Sequence, residues 1–273
     1  MRVAIFGSGP SGLLAAHALV VYGHAEVWDI DIFSRGEKSP LYGCQYLHQP
    51  IPAINCGEDV TVKYNLIGSP ELYYRKVYGS KRVTAVSPEE YGGEHQAWDI
   101  RKLYDQLWDA WQPRVKVAMV DKPNPDEFWD IFAPTYDKII STIPRNNWCY
   151  NEKHNFEVTE IYAVGDAPDL GVRAPFRPAF DNAVICNSDP HVGWYRMSQV
   201  FGFSTIEWPG DRKPPVGRVA HVKKPLRTDC NCWTEHEDDV SWGESILFVG
   251  RYGEWRKGVL AHDVFYQVRD AFA

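Results

Sequence analysis

The chain has 273 residues, a formal net charge of −7 and a hydrophobic content of 44%. That size fits one large domain or two closely joined ones. The acidic balance argues against a general nucleic-acid surface, which needs clustered Lys and Arg. No apolar run is long enough to span a bilayer and no signal peptide is visible, so a soluble, cytoplasmic protein without a membrane partner is expected.

Residues 2–6 (RVAIF) read as a short buried strand. Gly7-Ser8-Gly9-Pro10-Ser11-Gly12 follows as a turn, and the Ala/Leu/Val-rich 13–22 as a buried helix that stops at Gly23. A second strand over 26–33 completes a βαβ start within about 30 residues. Residues 35–57 have no period and many turn formers, which predicts a long functional loop. A strand is expected at 60–66 and a short helix at 70–77. Ile100, Leu103, Tyr104, Leu107, Trp108 and Trp111 have the spacing of an amphipathic helix over 99–111. Strands at 115–120 and 136–143 flank a helical turn at 125–132. From 145 to 244 the texture becomes mainly β, with short runs at 158–164, 183–187, 193–207 and 217–222. A strand at 245–249 and a helix at 259–272 return to α/β.

The glycine turn has the context that a nucleotide-binding G-x-G-x-x-G requires, a strand before it and a helix after it. Gly7 permits the tight turn, Gly9 lets backbone approach a pyrophosphate, and Gly12 lets helix and strand pack closely. The helix N-terminus offers free N–H groups and the positive end of its dipole. An acidic residue commonly ends the second strand and binds ribose. Here Ser34-Arg35 stands there, a pair suited to the 2′-phosphate of NADP, while Asp31 can serve if the strand ends early.

Three further segments resemble the glutathione-reductase-like flavoprotein superfamily. The helix RKLYDQLWDAW, the strand VKVAMV and the run Tyr136-Asp137-Lys138-Ile139-Ile140-Ser141-Thr142 look like its adenine-side strand and its "yDkvI" strand close to the cofactor. Leu41-Tyr42-Gly43-Cys44-Gln45-Tyr46-Leu47-His48 is similar to the segment that borders the flavin in UDP-galactopyranose mutases. Gly250-Arg251-Tyr252-Gly253-Glu254-Trp255, then Gly258-Val259 and a helix, is similar to their GR-x-G segment. The resemblance implies an α/β fold: a Rossmann-like FAD/NAD(P)-binding domain of the glutathione-reductase type, made of 1–144 and 245–273, with a β-rich substrate cap at 145–244. It implies FAD held by Gly7, Ser8, Gly9, Pro10, Ser11, Gly12, Ser34, Arg35, Tyr42, Gly43, Gln45, Thr142, Gly250, Arg251, Trp255, Gly258 and Val259. Glu160-Ile161-Tyr162-Ala163-Val164-Gly165-Asp166 resembles another flavin motif of the superfamily and competes with the C-terminal segment for the ribityl chain.

His48 and Cys44 fall in the loop expected to face the flavin, where a His can move a proton or serve only as a hydrogen-bonded structural residue. Trp194, Tyr195 and Arg196 form a candidate substrate wall, with Arg196 for an anionic group, or else an ordinary amphipathic strand. Trp255 stacks near the flavin or fills the core. Cys230-Asn231-Cys232, near His221 and His236, lacks the second ligand pair of a zinc knuckle, so no metal site is expected. The expected function is FAD-dependent oxidation of a small amine or alcohol, with NADP as a possible co-substrate. The alternatives are a non-redox flavoenzyme of the mutase kind and an NAD(P)-binding protein without flavin.

Overall fold

Every position of RVAIF is apolar from Val3 onward, which suits a strand covered on both faces. It forms β1 (Arg2–Phe6), the central strand of a five-stranded parallel sheet. On one side of β1 lie β2 (Asp29–Ser34) and then β5 (Val115–Val117); on the other lie β6 (Lys138–Ser141) and then β12 (Ile246–Phe248). All four pairings are parallel. The computed structural model describes the whole chain except residues 24–28, 82–91, 133, 166–180, 213, 215–218, 234–245 and 273.

Three helices cover one face of this sheet: α1 (Pro10–Tyr22), α3 (Ile100–Trp111) and α6 (Ala261–Phe272). Leu13, Leu14, Leu103, Leu107, Val264, Phe265 and Val268 meet Ile5 and Ile32 there, all buried. The opposite face is aromatic. Phe6, Phe128 of α4 (Pro125–Phe132), Trp148 and Trp233 stack in edge-to-face pairs.

The second sheet has seven strands. Its order is β11 (Ala220–Thr228), β7 (Phe156–Gly165), β10 (Phe203–Pro209), β9 (Arg196–Val200), β8 (Ala183–Asn187), β3 (Val60–Ile67) and β4 (Gly93–Ala97). All its pairings are antiparallel except that of β3 with β8. Tyr73 and Val77 of α2 (Pro70–Tyr78) pack on it. β3 and β4 thus lie with β7 to β11, whereas a boundary at 144 groups them with the parallel sheet. The burial of β3 explains its membership: it alternates between buried or half-buried and exposed positions, as half-solvated sheets do, while β1 is covered on both sides.

Several boundaries differ from expectation. The second strand runs over 29–34, and 24–28 lie outside the described residues. The run 193–207 is two strands, because Phe201 and Gly202, at φ 54° and 73°, turn the chain between them. The polar edge strand β4 (GEHQA) has no apolar alternation to reveal it. The last helix begins at Ala261, not Val259.

At the turn after β1, Gly7 has φ +115° and sits against Thr142, and a Cβ on Gly12 would overlap the Gly7 carbonyl oxygen. The neighbour is backbone and cannot swing away. Gly12→Ala is therefore expected to destabilise the fold by about 1–3 kcal/mol or more, read as a lowered midpoint of urea unfolding.

Candidate functional site

The parallel sheet reverses strand order at β1, since the chain leaves it for β2 on one side and β6 lies on the other. The crevice beyond the carboxyl ends of such strands is where open α/β sheets bind ligands. The glycine turn stands there. Gly7 N–H donates to the Phe33 carbonyl at 2.8 Å, and Thr142 donates both its N–H and its hydroxyl to the Phe6 carbonyl. Thr142 thus braces the turn from behind. Ser8 is buried, and its carbonyl accepts the Tyr104 hydroxyl at 2.9 Å. The same hydroxyl oxygen accepts the Ser39 N–H at 3.0 Å, tying α3, the turn and the long loop together.

Gly9 differs from its two companions. Its φ of −70° is open to any residue, and a Cβ on it meets nothing within 4 Å. Neither backbone strain nor packing explains a glycine here. In a strand–turn–helix of this form the second glycine is the place where a ligand can approach the backbone. The α1 N-terminus behind it has no side-chain cap and no acidic residue in its first turn, with Pro10 in that turn. Its leading N–H groups and the positive end of its dipole are those an anion requires.

At the edge of the crevice, Ser34 Oγ accepts the Gly36 N–H at 3.1 Å, and Arg35 is exposed. Val117 and Met119 beside it are 77% and 78% exposed. β2 runs on to Ser34, so Asp31 does not stand at its end. Asp31 is buried and accepts from Lys116 and Tyr136, both at 2.6 Å. Burial works against its charge, but these bonds and the nearby cations hold its pKa below the ordinary value.

From the far end of the chain, α5 (Gly250–Gly253) lies over the same crevice. Gly250, at φ +75°, packs on Ser11 and Val264, and Gly253 on the Ser141 carbonyl. Val259 is buried ahead of α6 and Gly258 is exposed at φ +91°. The α6 terminus is not an open anion cradle like that of α1, because the Asp263 carboxylate accepts the Leu260 N–H at 2.7 Å. Trp255, buried and at φ +54°, donates from Nε1 to the Glu157 carbonyl and packs edge-on against Phe156. It belongs to the seam with β7. Gly165 ends β7 against the Phe203 ring, and Asp166 lies outside the described residues.

The loop 41–48 runs between α3 and the second sheet. Arg101 donates to the carbonyls of Leu41, Gly43 and Gln45 while its guanidinium lies 3.6 Å from the centre of the Phe203 ring. Gln45 Nε2 donates to the Tyr42 carbonyl, and Tyr42 packs on the sheet core. Gly43 is required, since a Cβ would overlap Glu207 Oε1.

Glu207 is the residue that sequence reading missed. It is 1% exposed and accepts from the Tyr195 hydroxyl, from Arg196 at 2.6 Å, from Lys224 at 3.4 Å and from the Cys44 N–H at 3.3 Å. Burial pushes its pKa up, but Arg196 and Lys224 outweigh it and keep the group well below the ordinary carboxylate range. Tyr195 is therefore pinned in the interior, and Arg196 is already paired. Burial, helped by Arg196 and Arg251, pulls Lys224 down to about 8. Arg251 reaches across from α5 to the Pro225 carbonyl at 3.3 Å. Three cations thus converge where Glu207 supplies one negative charge, and the Nε atoms of Arg196 and Arg251 are buried without a partner among the described residues.

His48 lies against Tyr46, with the rings of His95 and His262 about 6 Å away. Burial and these two imidazoles lower its pKa to about 4, so it is neutral at pH 7.

No family model and no curated protein matches the chain. Solved structures do. A tryptophan C-6 flavin-dependent halogenase (chlorinase) from taromycin biosynthesis matches at TM-score 0.54 and 12% identity, over 100% of this chain and 72% of its own. BrvH, a flavin-dependent halogenase from Brevundimonas sp. BAL3, matches at 0.52 and 11%, over 100% and 72%. The oxygenase MHPCO, in a single-residue variant, matches at 0.50 and 12%, over 98% and 86%. At these identities the likeness is one of fold: a Rossmann-like α/β layer joined to a second sheet. No helix among the described residues is long and apolar enough to cross a membrane.

Two outcomes are expected. Glu207→Gln leaves Arg196 and Lys224 without their countercharge and costs about 3–5 kcal/mol, measured by urea unfolding at pH 7. Stability should also fall as pH drops from 6.5 towards 4. The unfolded chain protonates His48 near 6.5, the folded one only near 4, so the unfolded state gains protons first. His17 and His262, lowered by burial, act with the same sign. In His48→Gln this loss should shrink by about 2 kcal/mol.

Proposed function

We propose that this chain is an FAD-dependent oxidoreductase acting on a small molecule that carries an anionic group. The observation that carries the reading is the open space before Gly9, at the uncapped N-terminus of α1 and the carboxyl end of β1. The N–H groups of the first turn of α1 hold the pyrophosphate. Gly250 backs Ser11 from the other side. The exposed apolar surface of Val117 and Met119 beside Gly36 suits an adenine edge, with Arg35 at the ribose.

Bound FAD supplies hydride acceptance at its N5 atom or the activation of oxygen. This chain's residues do the rest. Glu207 orients Arg196 and keeps it charged. Lys224 and Arg251 add the positive charge that a carboxylate or phosphate group of the substrate balances. His48, held neutral at pH 7, offers a ring nitrogen for a hydrogen bond to the substrate. Oxidation of an amine or alcohol is one reaction this set allows. Oxygenation or halogenation of an aromatic substrate is the second reading, and the whole-chain fold match to two halogenases and an oxygenase favours it. Exposed Arg35 leaves room for NADP as electron donor. The non-redox reading rests on the segments 41–48 and 248–255 alone and predicts activity only after chemical reduction of the flavin. Six thiols outside any disulfide suit a cytoplasmic setting.

Thermal shifts with FAD, NADP and NAD, read beside the absorbance spectrum of the purified protein, test the cofactor. FAD is expected to raise the midpoint and to give a yellow protein. A chain that stays colourless after incubation with FAD, with no shift, sinks the reading. Gly9→Ala should leave the midpoint without cofactor unchanged, because the added methyl meets nothing. It should weaken FAD binding roughly tenfold or more, equivalent to about 1.4 kcal/mol.

A further inference from the structure

Cys149, His154, Cys230 and Cys232 come together on the far side of the aromatic cluster, and their ligand atoms all lie within 4.8 Å of one another. The sequence separates them by some 80 residues, and the topology reunites them. β7 and β11 are antiparallel partners, with Phe156 opposite Thr228. The pairing continues past both ends, where Thr228 Oγ1 donates to the Asn155 carbonyl and Asn155 N–H to Asp229, each at 2.7 Å. His154, two residues before β7, therefore faces Cys230, two residues after β11. Cys149 arrives from the first sheet, just after the turn Arg145–Asn147 that follows β6.

The spacing is that of a metal site. Cys149 Sγ lies 3.9 Å from Cys232 Sγ and 3.4 Å from His154 Nδ1, and Cys232 Sγ lies 3.5 Å from the same nitrogen. Zinc at about 2.3 Å from sulfur and about 2.0–2.1 Å from nitrogen gives tetrahedral edges of about 3.8 Å and about 3.6 Å. A disulfide needs sulfurs at about 2.05 Å, far closer than these two. We propose that Cys149, His154, Cys230 and Cys232 bind one zinc ion in a closed Cys3His site that joins the end of the parallel sheet to the β7–β11 pair.

The surroundings fit such an ion. Three thiolates and one Zn2+ sum to −1, and Arg145, 6% exposed, stands beside them and donates to the Cys232 carbonyl at 3.2 Å. Trp233, at φ +70°, donates to the Trp148 carbonyl at 2.6 Å and helps to seal the site on one side. With four protein ligands and no open position, the role is structural. His221, near the C-x-C in sequence, is elsewhere, paired with Glu160 and stacked on Tyr162. His236 lies outside the described residues.

The rival is a metal-free thiol cluster, held by the hydrogen bond from Cys149 to the Asn151 carbonyl at 3.2 Å. Full-length protein, expressed with zinc and purified under reduction, is to be assayed for metal by mass spectrometry. About one zinc per chain is expected, with Cys149→Ser and Cys232→Ser each losing it and His221→Gln keeping it. If the serine variants do not fold, cobalt exchanged into the unaltered protein decides the matter through the charge-transfer and d–d bands of a tetrahedral thiolate site. Titrating the thiols with a mercurial should release the metal in step, and a chelator should lower the thermal midpoint. Substoichiometric zinc that added zinc does not restore, absent cobalt bands, or a disulfide linking Cys149 to Cys232 overturns the proposal.

Discussion

The carboxylate of Glu207 is buried to within 1% of completeness, and a bare charge there would cost several kcal/mol. It survives because four groups from three segments meet on it. Tyr195 precedes β9, Arg196 opens it, Lys224 comes from β11, and the Cys44 N–H comes from the loop that crosses between the two layers. The register of β9, β10 and β11 and the path of the loop are tied to that one side chain. Gly43 must be glycine because Glu207 occupies the place of its Cβ.

The charge does not close at Glu207. Lys224 and Arg251 bring more positive charge than the carboxylate answers, and Arg251 belongs to the short helix that also packs on Ser11 and Ser141. One four-residue turn therefore touches both the glycine turn and the cationic interior of the second sheet. The glycine turn and the buried charge cluster become neighbours through it. Gly7, Gly12 and Gly253 are closed by contact, whereas Gly9 at the start of α1 faces open space.

A second seam holds the layers at the thiol and imidazole cluster. The aromatic face of the parallel sheet ends there, with Trp148 and Trp233 bonded to each other and Trp148 to Ser141 of β6. Apolar packing buries Cys149 and Cys232 and half-buries Cys230. Such an environment favours either a bound cation or protonated thiols over bare thiolates.

Much of the first layer was legible in the residues. β1, the glycine turn, α1 and α3 are written in local patterns: an all-apolar strand, glycines where Cβ atoms cannot fit, and a 3.6-residue stripe capped by Asp99. Such signals depend on neighbours a few positions away. The allocation of 60–67 and 93–97 to the second sheet was not legible, because the alternation of 60–67 names no partner strand and the polar 93–97 has no alternation at all. Glu207 looked like one polar residue in a strand, and Cys149 and His154 like unrelated singles. Their meaning comes from pairing across some 80 to 160 residues of chain. Sequence determined that a turn and helix of this form would exist. Tertiary structure decided what stands opposite them, since charge, ligand geometry and the room left before Gly9 are properties of atoms brought together from distant segments.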